Sequence, residues 1–171
     1  MNELLSVTVG EVIESIAKEY PDRYAVRYTD RDFKLTWKEF DAKISAIAKG
    51  FIAHGIKKGD KVAVWATNTP EWMLSFYASA RIGAILVTVN TAYKMFELEY
   101  LLKQSDTKML VMMDSYKGND YIEIINSVCP GIKKKTAPLS PMLPYLEEIV
   151  YSGPGECPAG LTPWSSIEED G

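Results

Sequence analysis

Apolar residues recur along this chain with two periods, and the switches between them divide it into helices and strands. Val9, Val12, Ile13, Ile16 and Tyr20 keep the three- and four-residue spacing of one helix face. Thr8-Val9-Gly10-Glu11 ahead of them fits a capping box, in which hydroxyl and carboxylate satisfy free backbone N–H groups. Pro21 ends that helix. Tyr24–Thr29 and Phe33–Leu35 predict a hairpin turned at Asp30-Arg31-Asp32. Thr36-Trp37-Lys38-Glu39 is a second capping box. It is followed by the apolar stripe Phe40, Ile44, Ile47, Ala48 and Phe51, with Gly55 as its stop.

Three similar units follow. Lys61–Ala66 predicts a strand, and Thr69-Pro70 caps and opens a helix ending at Gly83. Ala84–Val89 predicts a second strand with a helix over about Lys94–Gln104. Lys108–Met113 predicts a third with a helix over about Asn119–Val128. The strands start at residues 61, 84 and 108, a regular interval. Continuous apolar strands alternating with amphipathic helices predict an α/β fold: a layered, mostly parallel sheet flanked by helices on both faces, with right-handed crossovers.

The remainder reads differently. Lys133–Pro144 predicts an irregular connection, Glu148–Tyr151 a short strand, and Ser152–Pro163 an exposed loop. Trp164–Gly171 predicts a helix capped by Ser165 or Ser166 ahead of Glu168 and Glu169. Residues 1–150 therefore form the expected α/β unit. Residues 151–171 are the expected connecting loop and the start of a helix belonging to a longer protein.

Composition narrows the function classes. A chain of 171 residues is one ordinary domain's worth, and 47% hydrophobic with 25% charged residues is the soluble globular average. The net charge of −4 is spread without a basic stripe, which argues against nucleic acid as a partner. The short basic groups Lys57–Lys58 and Lys133–Lys135 sit beside glycine or proline and read as loop decoration. No apolar run is long enough for a transmembrane span, since Ser75, Ser79, Arg81 and Gly83 interrupt Met73–Val89. The N-terminus lacks the pattern of a secretory signal. Cys129 and Cys157, each before a proline and outside any CxxC motif, predict free thiols in a reducing, cytoplasmic setting.

Candidate chemistry is sparse. His54 is the single histidine, placed at a helix end where a cation or a carbonyl-bonded imidazole is favourable, with no local nucleophile or orienting acid. Neither it nor the cysteines predict a metal site. Ser152-Gly153-Pro154-Gly155-Glu156 lacks the free N–H groups and the lysine of a phosphate cradle. No GxGxxG or GxxxxGK[ST] motif occurs. Trp37, Trp65, Trp72, Phe76 and Tyr77 form an aromatic-rich group that reads as core, with an apolar acyl pocket as the functional alternative.

Several segments, in order, resemble one family. They are Tyr20-Pro21-Asp22 with Ala25-Val26; Leu35-Thr36-Trp37-Lys38-Glu39-Phe40; Gly55 with Lys58-Gly59-Asp60-Lys61-Val62-Ala63; Asn68-Thr69-Pro70-Glu71-Trp72; Gly83-Ala84; and Val89-Asn90. Glu97-Leu98 and Ser105-Asp106 complete the order. Together they resemble the AMP-forming adenylate synthetases, and within them the acyl-CoA synthetases. Asn90–Lys94, Glu97–Leu102, Tyr121–Ile125 and Cys129-Pro130 are similar to medium- and long-chain fatty-acid–CoA ligases. Val87-Thr88-Val89-Asn90 departs from the many members that carry proline before the asparagine.

The resemblance implies a parent enzyme that uses ATP, CoA and Mg. It would join ATP to a fatty acid or other carboxylate, giving an acyl-adenylate and pyrophosphate, and then transfer the acyl group to CoA. The family's phosphate loop, "[ST]-[ST]-G-[ST]-T-G-x-P-K", and its later motifs are absent. No catalytic, cofactor-binding or metal residue is therefore assigned to any position here, no substrate-binding residue is identified, and the 171-residue chain alone is expected to be inactive and free of bound cofactor. Self-association through an exposed sheet edge or apolar face is also expected. The alternatives are a free-standing α/β binding module and part of an amino-acid adenylation domain.

Overall fold

The computed structural model describes residues 6–132 and 139–171. Lys133–Lys135 and the first part of the irregular connection lie outside the described residues. The elements run α1 (Val9–Glu19), β1 (Tyr24–Arg27), β2 (Lys34–Thr36), α2 (Trp37–Ala53), β3 (Lys61–Trp65), α3 (Pro70–Ile82), β4 (Ile85–Thr88) and α4 (Met95–Gln104). They continue as β5 (Thr107–Met112), β6 (Ser115–Tyr116), β7 (Asn119–Asp120), α5 (Tyr121–Val128), β8 (Glu148–Tyr151), β9 (Thr162–Pro163) and α6 (Trp164–Glu169).

Five strands form one sheet in the order β4-β3-β5-β8-β9, every neighbour parallel. Alternation along each strand sends side chains to two cores. Val62, Val64, Met109, Val111 and Val150 face one layer, which holds α1, α2, α3 and α6. Ala63, Trp65, Leu110, Met112 and Ile149 face the other, with α4 and α5. The inner strands β3 and β5 are buried on both faces. β4 is an edge strand, and its Ile85 is 52% exposed. The predicted β1–β2 hairpin forms separately and packs Val26 and Leu35 on the first core.

Local chemistry explains the helix ends. Thr8 and Thr36 each accept from the N–H three residues on, and Glu11 and Glu39 return the bond to the threonine N–H. Thr69 Oγ1 accepts from Trp72 N–H, and Pro70 opens α3. Gly83 closes it at φ +71°, a left-handed conformation that a Cβ disfavours.

Three local expectations are corrected. α6 begins after Pro163, and no side chain caps it; Ser165 and Ser166 lie inside its first turn. Ser152–Pro163 is not wholly loop, because Thr162–Pro163 pairs with β8. Asn119 and Asp120, expected to open the helix over about Asn119–Val128, instead form the second strand of the tight β6–β7 hairpin, and the helix begins at Tyr121.

α6 folds back on α2 at unusually close range. A Cβ at Gly50 would lie 2.0 Å from the Ile167 carbonyl oxygen, so glycine alone permits the approach. Ile167 is fully buried there, Trp164 meets Phe51 edge-on at 6.5 Å, and Lys43 pairs with Glu168 at 2.8 Å.

Candidate functional site

In a parallel α/β sheet, loops at the carboxyl ends of the strands diverge where successive connections leave for opposite faces, and a crevice opens there. The chain leaves β3 for α3 on one face and β5 for α5 on the other. That switch falls between β3 and β5, at Ala66–Thr69 and Met113–Asp114, beside the loop after β4. Thr67 N–H donates to Met113 Sδ at 3.4 Å and ties two of these loops together.

The loop after β4 is held from below. The Trp65 indole stacks on Tyr121 with centroids 3.7 Å apart and planes 14° from parallel. Trp65 Nε1 donates to Asn90 O at 3.2 Å, and Tyr121 Oη donates to Thr91 O at 2.8 Å. Buried Asn119 completes the clamp: its Nδ2 donates to Thr91 O at 3.2 Å and Tyr93 O at 2.8 Å, while its Oδ1 accepts from Lys94 Nζ at 2.8 Å. Burial pushes the Tyr121 phenol up to about 12, so it remains a neutral donor.

Above this clamp is a cavity of about 320 Å³ lined by Thr91, Ala92, Lys94, Tyr116, Lys117 and Asn119. Two ammonium groups and three amide or hydroxyl side chains make it suited to an anionic or hydroxyl-bearing ligand group. No imidazole or carboxylate is among these lining residues, so a ligand there would be held and oriented without a proton acceptor. Sequence reasoning missed Asn119 and Tyr121 in this role. The signal available was Lys117-Gly118 ahead of them, whose positive φ values (47° and 76°) make the turn of the hairpin.

The candidates singled out in the sequence lie elsewhere. His54 caps α2 at the amino ends of the strands. Its Nδ1 lies 3.0 Å from both Glu148 oxygens and its Nε2 3.1 Å from Asp170 Oδ2. Orienting acids are thus present, though distant in sequence. Among the described residues no hydroxyl or thiol is hydrogen-bonded to the imidazole, and Thr162 Oγ1 donates to Glu148 instead. The cluster fastens α2, β8, β9 and the end of α6 together.

The glycine-rich loop wraps Tyr151. Tyr151 Oη donates to Pro154 O at 2.7 Å, and a Cβ on Gly153 would meet the ring at 2.6 Å, leaving no phosphate cradle. The aromatic group divides between the layers. Trp65 faces α5, whereas Trp37, Phe40, Tyr77, Phe76 and Trp72 form a chain of ring contacts on the other side. Cys129 is buried and Cys157 half-buried, and both are free of disulfides. Among the described residues no three His, Cys, Asp or Glu side chains converge on a point that could hold a metal ion, and no helix is long and apolar enough to cross a membrane.

The AMP-binding enzyme family profile matches residues 13–153. The chain is 45% identical over 170 residues to YngI of Bacillus subtilis (strain 168), a candidate acyl-CoA synthetase, covering 98% of this chain and 31% of YngI. It is 34% identical over 133 residues to the mouse mitochondrial medium-chain acyl-CoA ligase ACSF2, covering 78% of this chain and 22% of ACSF2. The fold matches the anthranilate CoA ligase AuaEII with a TM-score of 0.77 at 22% identity, over 98% of this chain and 29% of that one. The chain therefore spans less than a third of the length of these curated relatives.

Proposed function

The chain belongs to the AMP-binding enzyme family, and from that premise we propose that it is the N-terminal scaffold of an AMP-forming acyl-CoA ligase acting on fatty acids. The observation that carries this reading is the match to YngI along nearly the whole chain but only 31% of YngI. Residues 1–150 serve as the N-terminal α/β subdomain, and 151–171 as the connection leading onward. The carboxyl-end rim around Asn119 and Lys94 supplies one wall of the parent's ligand crevice, offering cations to an anionic part of a substrate.

The residues present do not fit a nucleotide–Mg site. No metal-holding group converges among the described residues, and the glycine-rich loop is filled by Tyr151. ATP, Mg and CoA are accordingly assigned to the longer parent, and no catalytic residue to this chain. A cytoplasmic setting fits the two free thiols.

Pyrophosphate release by the full-length parent tests the proposal. Release should require ATP and a carboxylate, acyl-CoA should form when CoA is added, and kcat/KM should rise from acetate through the medium-chain acids as each buried methylene adds about 0.8 kcal/mol. The 171-residue chain should stay at background. A maximum at an amino acid would assign the parent to peptide-forming adenylation instead.

A further inference from the structure

α6 is fastened to the rest of the fold by buried side chains and by two polar contacts, one of which runs through an imidazole. Trp164 and Ile167 are buried in the core that α2 shares, and Lys43 pairs with Glu168 at 2.8 Å. The other polar contact is made by His54, the single histidine of the chain. Its side chain is only 15% exposed, and both ring nitrogens face carboxylates. Nδ1 lies 3.0 Å from each Glu148 oxygen, and Nε2 lies 3.1 Å from Asp170 Oδ2. A neutral imidazole has one N–H and one lone pair, so it can donate to only one of these partners. The imidazolium, with two N–H groups, satisfies both.

The surroundings decide which contact is lost with the proton. Glu148 is anchored on β8, and its Oε1 accepts from Thr162 Oγ1 of β9 at 2.6 Å. The Asp170 side chain is 56% exposed against 23% for Glu148. A ring that keeps its N–H on Glu148 turns a lone pair towards Asp170, and the carboxylate with access to water is the one that leaves. His54 also sits at the carbonyl end of α2, which favours the cation. Among the described residues the cation beside the cluster is Lys108 of β5. Its Nζ donates to Gly55 O at 2.9 Å and Asp60 Oδ2 at 3.0 Å, and it lies 3.7 Å from Glu147, so carboxylates flank its charge. Of the side-chain types gathered here, imidazole is the one that ordinarily changes charge between pH 5 and 8. A cavity of about 410 Å³, lined in part by His54, Glu147, Glu148 and Thr162, gives solvent protons a route to the ring.

We propose that His54 is a proton-operated latch on α6. With both nitrogens protonated it clamps Asp170 to β8 across the end of α2. When Nε2 gives its proton to solvent, Asp170 turns away and the last turn of α6 loosens. Resting on the reading of residues 151–171 as the connection to the rest of the parent, pH then sets how firmly that connection is held.

Ring ¹⁵N NMR and amide hydrogen exchange on the 171-residue chain test this, and a single histidine leaves no ambiguity in the ring signal. At pH 5.5 both ring nitrogens should carry protons. At pH 8 Nε2 should be bare, and the α6 amides should exchange about fivefold faster after correction for base catalysis, with α3 unchanged. Ring and α6 amides should follow one curve. Asp170→Asn should make α6 protection independent of pH, because an amide can donate to the bare nitrogen; this exposed position keeps the test open if His54→Gln fails to fold. Equal protection of α6 at both pH values would overturn the proposal, as would a pH dependence that persists in Asp170→Asn. Pyrophosphate release by the full-length parent is a separate measurement, so either reading can fail while the other stands.

Discussion

Ser75 and Ser79 lie one turn apart on α3, both fully buried, with hydroxyls that have no hydrogen-bond partner among the described residues. A buried hydroxyl without a partner costs about 1–3 kcal/mol, and serine is a poorer helix former than alanine. Ser75→Ala and Ser79→Ala should therefore each stabilise the chain by about 0.5–1 kcal/mol, read as a raised denaturant midpoint with unchanged slope. Cys129 carries a different consequence. Burial pushes its thiol up from 9.0 to about 12, with the Glu99 carboxylate adding to the shift. The unfolded chain therefore loses this proton first as pH rises, and unfolding becomes easier across the interval from 9 to 12. Denaturation midpoints should fall over that window, and Cys129→Ala should flatten the decline. Thiol labelling at neutral pH should find Cys157 and spare Cys129.

At the scale of elements, the contact between α2 and α6 is the most exacting. Alanine at Gly50 would raise helix propensity by about 1 kcal/mol in an open helix. Here its Cβ would collide with the backbone carbonyl of Ile167, which cannot rotate away. Gly50→Ala should therefore destabilise by about 1–3 kcal/mol, and hydrogen exchange should show α6 released while α3 stays protected.

Much of the element pattern was legible in the sequence. The capping boxes at Thr8 and Thr36, the Thr69-Pro70 start and the Gly83 stop act over three or four residues, and the apolar strands carry their own period. What escaped was short or distant. Two-residue strands such as Ser115–Tyr116 have no period to read. Ser165 and Ser166 look like caps in a string of letters, but Pro163 already holds the extended backbone that starts α6. The acids around His54 lie 94 and 116 residues away, beyond any local signal. The Asn119 clamp depends on a loop between other strands, so its residues have no motif of their own.

On the scale of the whole molecule, the sheet is closed on its faces and open at one side. Among the described residues β4 pairs only with β3, and its Ile85 is exposed. Phe96 and Tyr100 on α4 are 77% and 68% exposed and lie one turn apart. An uncovered edge and apolar side chains of this kind promote association between chains. Sedimentation velocity should show concentration-dependent oligomers of the 171-residue chain. Ile85→Lys should shift the distribution towards monomer if the edge carries the contact, and Phe96→Lys if the helix face does. A strictly monomeric chain at high concentration would dismiss both routes.

The closure of α6 over α2 also has a schedule. His54 and Asp170 are 116 residues apart, so the partner of the α2 surface is made long after α2 itself. At ribosomal rates of about 5–20 residues per second, α2 waits roughly 6–23 s before α6 exists to cover it. Through that interval the surface that Trp164 and Ile167 will bury stays open on a nascent chain. That interval leaves nascent apolar surface open to chaperone capture, an exposure that equilibrium stability does not describe.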